Sequence, residues 1–144
     1  MKKIEKSVLD LIGNTPLYQI NSFDTGPCEL FVKLENQNPG GSIKDRIGLT
    51  IIEEAEKSGE LKPGGTIIEA TAGNTGIGLA LVAAIKGYKL IIVMPDKMSR
   101  DKILHVQGLG AEVVLTRSDV GKGHPEYYQD VAKKMSEEIK GSFL

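Results

Sequence analysis

"TIIEATAGNTGIGLALVAAIKGYKLIIVMP", residues 66–95, sets the pattern for the rest of the chain. "TIIEAT" is a short apolar run bounded by turn signals, as in a strand buried on both faces. "GNTGIGLALVAAIKG" is a helix opened by glycine and closed by Gly87, and "KLIIVMP" is a second buried strand that Pro95 ends. Strand, helix and strand joined by short connections form a βαβ unit, which implies a right-handed crossover and parallel strands.

The unit repeats toward the C-terminus. "SRDKILHVQGLG" (99–110) is a helix with serine before it and glycine after it, and "AEVVLT" (111–116) is a strand. A last helix is predicted from Pro125, a residue suited to the first helical position, burying Tyr128, Val131, Ala132, Met135 and Ile139. The alternation predicts one more strand at "GSFL" (141–144), either a short terminal strand or the start of a pattern cut off in mid-course. On the N-terminal side, Ile43, Ile47, Ile51 and Ala55 recur every fourth residue up to Gly59, predicting a helix with Ser42 as N-cap and Asp45 three residues on. "NTPLYQI" and "CELFVKLE" predict two short strands before it, with Leu30, Val32 and Leu34 alternating. The fold class is α/β, a parallel sheet with helices on both faces in three layers.

The 144 residues carry 18 Lys and Arg against 19 Asp and Glu, and 40% are apolar, so the composition suggests neither disorder nor a nucleic-acid partner. One cysteine, Cys28, excludes an internal disulfide framework and fits a reducing, cytoplasmic compartment. The opening "MKKIEKSVLDLIG" is basic, but Glu5, Lys6 and Asp10 interrupt what would be a signal peptide's apolar region. The apolar stretch "IGLALVAAI" is far shorter than the roughly 20 residues of a membrane span, so no membrane partner is expected.

Two stretches carry chemistry. "EATAGNTGIG" aims loop N–H groups and a helix N-terminus outward from the carboxyl end of a parallel strand, the usual place for an anion. Its glycines, Gly73, Gly76 and Gly78, do not have dinucleotide-loop spacing, and no phosphate-loop lysine follows. "NPGGSIKDRIG" (38–48) places Lys44 in the first turn of a helix, where the dipole disfavours a cation by roughly 0.3–1 kcal/mol. Lys44 is then either an exposed lysine salt-paired to Asp45 or an amine favoured in its neutral form, able to attack an aldehyde. His105 and His124 have no partner at metal-ligand or nucleophile spacing, so no metal site is expected. Tyr127 and Tyr128 read as helix surface and helix core, and Cys28 as a packed residue in a strand. "SDVGKGHPEYYQD" (118–130) is a polar loop that could border a substrate entrance.

"NPGGSIKDRIG", then "EATAGNTGIGLAL", "IIVMPDKMSRDK" and "LGAEVVLT" in this order resemble the N-terminal half of the pyridoxal-phosphate enzymes of the cysteine synthase and cystathionine β-synthase family. The resemblance covers nearly the whole chain and implies the N-terminal part of a two-domain fold-type II enzyme. Residues 1–36 would be lead-in strands packing toward the second domain, and 37–144 the α/β domain. The second domain, with the cofactor's phosphate loop, would lie beyond residue 144. The resemblance implies that Lys44 holds pyridoxal 5'-phosphate as a Schiff base and moves the α-proton. It implies that Asn74 binds the cofactor's 3'-hydroxyl, and that Thr71, Ala72, Gly73, Asn74 and Thr75 grip the substrate carboxylate. Ala72 departs from the family's serine and removes one donor. The implied activity is β-replacement or β-elimination on L-serine, O-acetyl-L-serine or L-cysteine with a thiol or sulfide, by a homodimer when complete. The alternative is a truncated, inactive domain serving as a remnant or binding module, and the 144 residues alone are expected to be inactive.

Overall fold

The computed structural model describes residues 6–139 and 142–143. Two antiparallel strands, β1 (Leu17–Ile20) and β2 (Leu30–Lys33), pair Tyr18 with Val32 and precede the first α-helix, α1 (Lys44–Ser58). β3 (Thr66–Ala70), α2 (Asn74–Lys86), β4 (Lys89–Pro95), α3 (Arg100–Gly108), β5 (Glu112–Thr116), α4 (Tyr128–Glu138) and β6 (Ser142–Phe143) follow. The last four strands form one parallel sheet in the order β5-β4-β3-β6, with Ile68 beside Ile91, Val93 beside Val114 and Ile67 beside Phe143.

Strand alternation divides the core into two layers. Ile67, Leu90 and Ile92 face α1, α2 and α3 together with Ile52, Leu79, Val82 and Val106. Ile68, Ile91 and Val93 face α4 and pack on Ala132, with Tyr128, Val131, Met135 and Ile139 around them. This is the expected three-layer α/β arrangement, and the predicted face of α4 is the one that packs. α2 lies between α1 and the sheet, so it is apolar nearly all round, with Ile77, Leu79, Ala80, Val82 and Ala83 buried. Gly59 and Gly87 end α1 and α2 at φ 76° and 78°, a left-handed conformation that a side chain would disfavour.

Three local expectations are corrected. α1 buries Asp45, Gly48, Ile52 and Ala55, while Ile43 and Ile47 are 50% and 38% exposed. A strict four-residue repeat drifts about 40° per step around a helix of 3.6 residues per turn, so the predicted stripe cannot stay on one face. Contact with α2 selects the face that carries Gly48. Pro125 sits in the turn before α4, whose first residue is Tyr128. Cys28 is exposed and precedes β2 instead of packing within it.

The helix crossing explains the choice of face. A Cβ on Gly48 would stand 2.6 Å from the carbonyl carbon of Gly78, and one on Gly78 would stand 2.6 Å from the carbonyl oxygen of Lys44. Backbone meets backbone, so no rotamer change can relieve a side chain there. Gly78→Ala is therefore expected to destabilise the fold by about 1–3 kcal/mol, the cost of overpacking. Gly108→Ala at the end of α3, where a Cβ meets nothing within 4 Å, should be neutral or stabilising. Urea unfolding midpoints measure both, and a Gly78→Ala protein as stable as the parent would contradict the crossing.

Candidate active site at the carboxyl edge of the sheet

From β3 the chain winds outward to β4 and β5, whereas β6 lies on the other side of β3. That reversal opens a crevice beyond the carboxyl end of β3, where α/β sheets bind ligands. The segment leaving β3 there is Thr71–Ala72–Gly73, and Asn74 begins α2. Thr71 N donates to Val93 O at 3.1 Å, Gly73 N to Thr71 Oγ1 at 3.3 Å, and Gly76 N to Gly73 O at 3.2 Å, so the loop is held by its own backbone. A Cβ on Gly76 would stand 2.9 Å from Thr71 Cγ2 and 3.0 Å from Ile92 Cδ1, so the missing side chain lets the helix start close against the sheet. Gly73 faces open space and no side chain caps α2, which leaves the first N–H groups of the helix available to an anion. Thr71, Ala72, Gly73 and Thr75 are half-buried and Asn74 is exposed. Burial raises the carboxyl pKa of Glu69, two residues before the loop.

Lys44 is half-buried and is the first residue of α1. Ser42 Oγ accepts from Lys44 N at 3.2 Å, one residue out of step with the predicted cap, since Ile43 occupies the capping position. Asp45 neither closes a capping box nor pairs with Lys44. It is fully buried, Oδ2 accepts from Gly40 N at 2.5 Å, and burial raises its pKa, while Oδ1 has no partner. The carboxylate folds the "NPGG" segment back over the helix start, and a Cβ on Gly40 would strike it. The Lys44 carbonyl rests on Gly78, and Asn74 lies four residues earlier on the same face of α2, about 5–6 Å away along the helix. The start of α1 at Lys44 and the Thr71–Thr75 loop at the start of α2 are therefore neighbours through the helix crossing.

Sequence reading missed the network behind this arrangement. Arg46 donates through Nε to Glu35 Oε2 at 2.9 Å and through Nη2 to Glu35 Oε1 at 3.0 Å, a two-point contact that fixes the guanidinium plane. Thr15 Oγ1 donates to Glu35 Oε1 at 2.6 Å, and buried Asn38 donates to Glu35 Oε2 at 3.0 Å while accepting from Gly13 N at 2.8 Å. The partners lie up to 31 residues apart, so no local period reveals them. The arginine contact, helped by Thr15 and Asn38, holds the Glu35 carboxyl at a pKa of about 2.

The weaker candidates are placed as follows. His105 is exposed on α3, and His124 Nδ1 accepts from Glu126 N at 3.1 Å within the loop before α4. Tyr127 is half-buried and not a helix-surface residue; it precedes α4 and stacks edge-to-face on Tyr128 at 4.8 Å. Ser118, Val120 and both tyrosines border a cavity that Ala72 also lines. Among the described residues no cluster of three or more His, Cys, Asp or Glu could hold a metal, and no helix is long and apolar enough to cross a membrane.

Comparison with known proteins bears on what this crevice holds. A family model described as "Pyridoxal-phosphate dependent enzyme" matches residues 8–144. A cystathionine beta-synthase of Dictyostelium discoideum is 50% identical over 144 residues, covering 99% of this chain and 29% of that protein. A cysteine synthase of a Flavobacterium species is 51% identical over 140 residues, covering 96% of this chain and 44% of that protein. The crystal structure of a hydrogen sulfide-producing enzyme from Fusobacterium nucleatum superposes with a TM-score of 0.90 at 48% identity, over 99% of this chain and 46% of that one. The chain thus spans less than half the length of these relatives.

The Glu35 network predicts a pH dependence. Its folded pKa lies below the unfolded value near 4.5, so the stabilisation is present above pH 4.5 and is lost as the pH falls toward about 2. Glu35→Gln should be less stable at neutral pH and flatter across that window, as read from urea midpoints between pH 2 and 7. Parallel pH profiles for the two proteins would show that Arg46 does not hold the carboxylate in solution.

Proposed function

This chain belongs to the family of pyridoxal-phosphate dependent enzymes, and we propose that the whole protein performs β-replacement or β-elimination on L-serine, O-acetyl-L-serine or L-cysteine, with a thiol or sulfide as the second reactant. The observation that carries this reading is the crossing at Gly78, which sets the half-buried Lys44 against α2 one turn from Asn74.

The residues present fit the cofactor. Among the described residues the Lys44 ammonium makes no hydrogen bond or ion pair, so its amine is available to an aldehyde. Asn74 makes no capping bond, which leaves its amide free to meet a ring hydroxyl. When bound, pyridoxal phosphate supplies the electron sink that lets a carbon–hydrogen bond next to an amine ionise. Lys44 is the residue that would hold the cofactor, and its Nζ would take and return the substrate's α-proton. Open N–H groups at the start of α2 and the hydroxyls of Thr71 and Thr75 orient the substrate carboxylate, each charge-assisted bond contributing roughly 1.5–3 kcal/mol. Asp45 and the Arg46–Glu35 contact hold the two sides of Lys44's turn so that the amine keeps its aim.

The names of the relatives support sulfur amino-acid chemistry. They differ among themselves in reaction, so the substrates named here follow the family resemblance, and Ala72 is the feature of this chain that bears on the choice among them. Ala72 leaves more room beside the substrate than a serine would, which suits serine or cysteine as well as O-acetylserine. The exposed Leu17, Tyr18 and Phe31 of the β1–β2 pair suit contact with a second domain or a second copy of the protein. The single exposed Cys28 suits a reducing cytoplasmic compartment.

Borohydride treatment of the cofactor-loaded protein followed by peptide mapping should place the cofactor's mass on Lys44. Lys44→Ala should lose that label, with turnover falling at least about a hundredfold. Asn74→Ala should keep the label but shift the visible absorption. A label that stays in Lys44→Ala, on another lysine, would overturn the assignment. Ala72→Ser should tighten amino-acid binding by up to about tenfold, near 1.4 kcal/mol, and change the ratio of activity on cysteine to that on O-acetylserine. Unchanged KM values on both substrates would place residue 72 away from the carboxylate.

A further inference from the structure

Glu69 is the acidic side chain of β3, and the chemistry above gives it no part. It is half-buried, and among the described residues no hydrogen bond or ion pair reaches its carboxyl. Strand register sets it beside Ile92, which packs against Gly76 in the first turn of α2. Thr71, two residues further on, packs against the same glycine and so shares that face of the sheet. At about 3.3 Å per residue, Glu69 stands roughly 7 Å from the start of the Thr71–Thr75 loop. An unpaired acid thus lies directly behind a loop whose open N–H groups suit an anion.

The surroundings decide when that acid is charged. Burial alone acts on the carboxyl and raises its pKa, because no cation or donor favours the ionised form. Its neighbours on β4 and α2, Ile92 and Gly76, are uncharged, and among the described residues β6 pairs with β3 only at Thr66 and Ile67. Beyond α2, Lys44 and the buried Asp45 meet the helix at Gly78. In the α4 layer the titratable neighbour is Tyr128, whose hydroxyl pKa is raised in part by the charge of Glu69, so it stays neutral when Glu69 ionises. A substrate carboxylate on the loop would stand within one Debye length of Glu69, about 8 Å at physiological salt, and the two negative charges would repel with little screening. A proton on Glu69 removes the conflict. By reciprocity, whatever that proton does for the anion, the anion does for the proton.

We propose that Glu69 couples the carboxylate site to pH: an anion settling on the Thr71–Thr75 loop draws a proton from water onto Glu69, and affinity for carboxylates falls as rising pH removes that proton. The inference rests on the reading above of this loop as the site of the substrate carboxylate. The proton passes between solvent and a Glu69 carboxyl oxygen, and no bond of the ligand forms or breaks. Glu69 tunes the site through its field at the loop and does not touch the reacting atoms.

The test uses the cofactor-loaded full-length enzyme and L-lactate, which carries the substrates' carboxylate without an amine or a leaving group. Calorimetric titrations between pH 5.5 and pH 8, each in two buffers of different ionisation heat, give both the affinity and the protons taken up. In the parent, affinity should fall at least about threefold across that range, with net proton uptake on binding. Glu69→Gln, which keeps the shape of the side chain without its charge, should bind lactate at pH 8 at least about threefold more tightly than the parent and take up fewer protons. Lys44 and the cofactor are common to both proteins, so the difference between them belongs to Glu69. Equal pH profiles and equal proton uptake, or a variant weakened at every pH, would overturn the coupling while leaving β-replacement standing. Lactate that fails to bind a parent enzyme active on O-acetyl-L-serine would move the carboxylate site off the loop and overturn the coupling as well. A loaded parent that forms no product from O-acetyl-L-serine, L-serine or L-cysteine would overturn the β-replacement reading itself, and this inference with it.

Discussion

Gly48 and Gly78 let two helix backbones touch, and the placement of α1, with Lys44 at its start, follows from that contact. α2 is tied to the sheet through Ile77, Leu79 and Val82, so its start is fixed wherever β3 and β4 put it. α1 has no strand directly before it and takes its position from α2. With a side chain at either glycine the helices would part, and Lys44 would move away from Asn74. The same absence of side chains gives α1 its unusual buried face, in which a glycine and an aspartate displace the isoleucines at 43 and 47.

The crossing fixes separation but not rotation. Rotation is set by polar contacts on both sides of Lys44: Asp45 reaches back to Gly40, and Arg46 reaches across to Glu35, Thr15 and, through Asn38, Gly13. A buried Asp45 oxygen without a partner is a cost of about 1–3 kcal/mol in an ordinary core. Here it accompanies a tightly turned loop at the helix that carries the candidate lysine. Polar groups buried for position instead of stability are a pattern expected near a working site.

The parts of the fold legible in the sequence were those whose cause is local. β4 ends at Pro95 because proline has no N–H for the ladder, and α2 ends at Gly87 because glycine accepts a positive φ; both are readable from one residue. The face of α1 was not legible, because it depends on which residue of a distant helix arrives opposite. Ser42 could be recognised as a hydroxyl near a helix start, but the turn begins one residue later because Asp45 is drawn to Gly40. Lys44 and the Asn74 loop stood out by residue type and by position after predicted turns. The resemblance already implied that both meet one cofactor, but the glycine contact that sets their separation did not stand out, and neither did the Glu35 network, most of whose bonds join segments 11 to 31 residues apart. Tyr127 looked like helix surface until the helix start moved to Tyr128 and turned the ring toward Ala72's cavity.

The central claim proposed is that Lys44 and Asn74 would meet one cofactor because the glycine crossing holds the starts of α1 and α2 together. The most direct measurement is a crystal structure of the full-length protein loaded with pyridoxal phosphate. The account predicts continuous density from Lys44 Nζ to the cofactor's carbonyl carbon, the Asn74 amide within hydrogen-bond reach of the ring hydroxyl, and Gly48 and Gly78 in backbone contact as here. A cofactor joined to another lysine, or one seated beyond reach of Asn74, would contradict it.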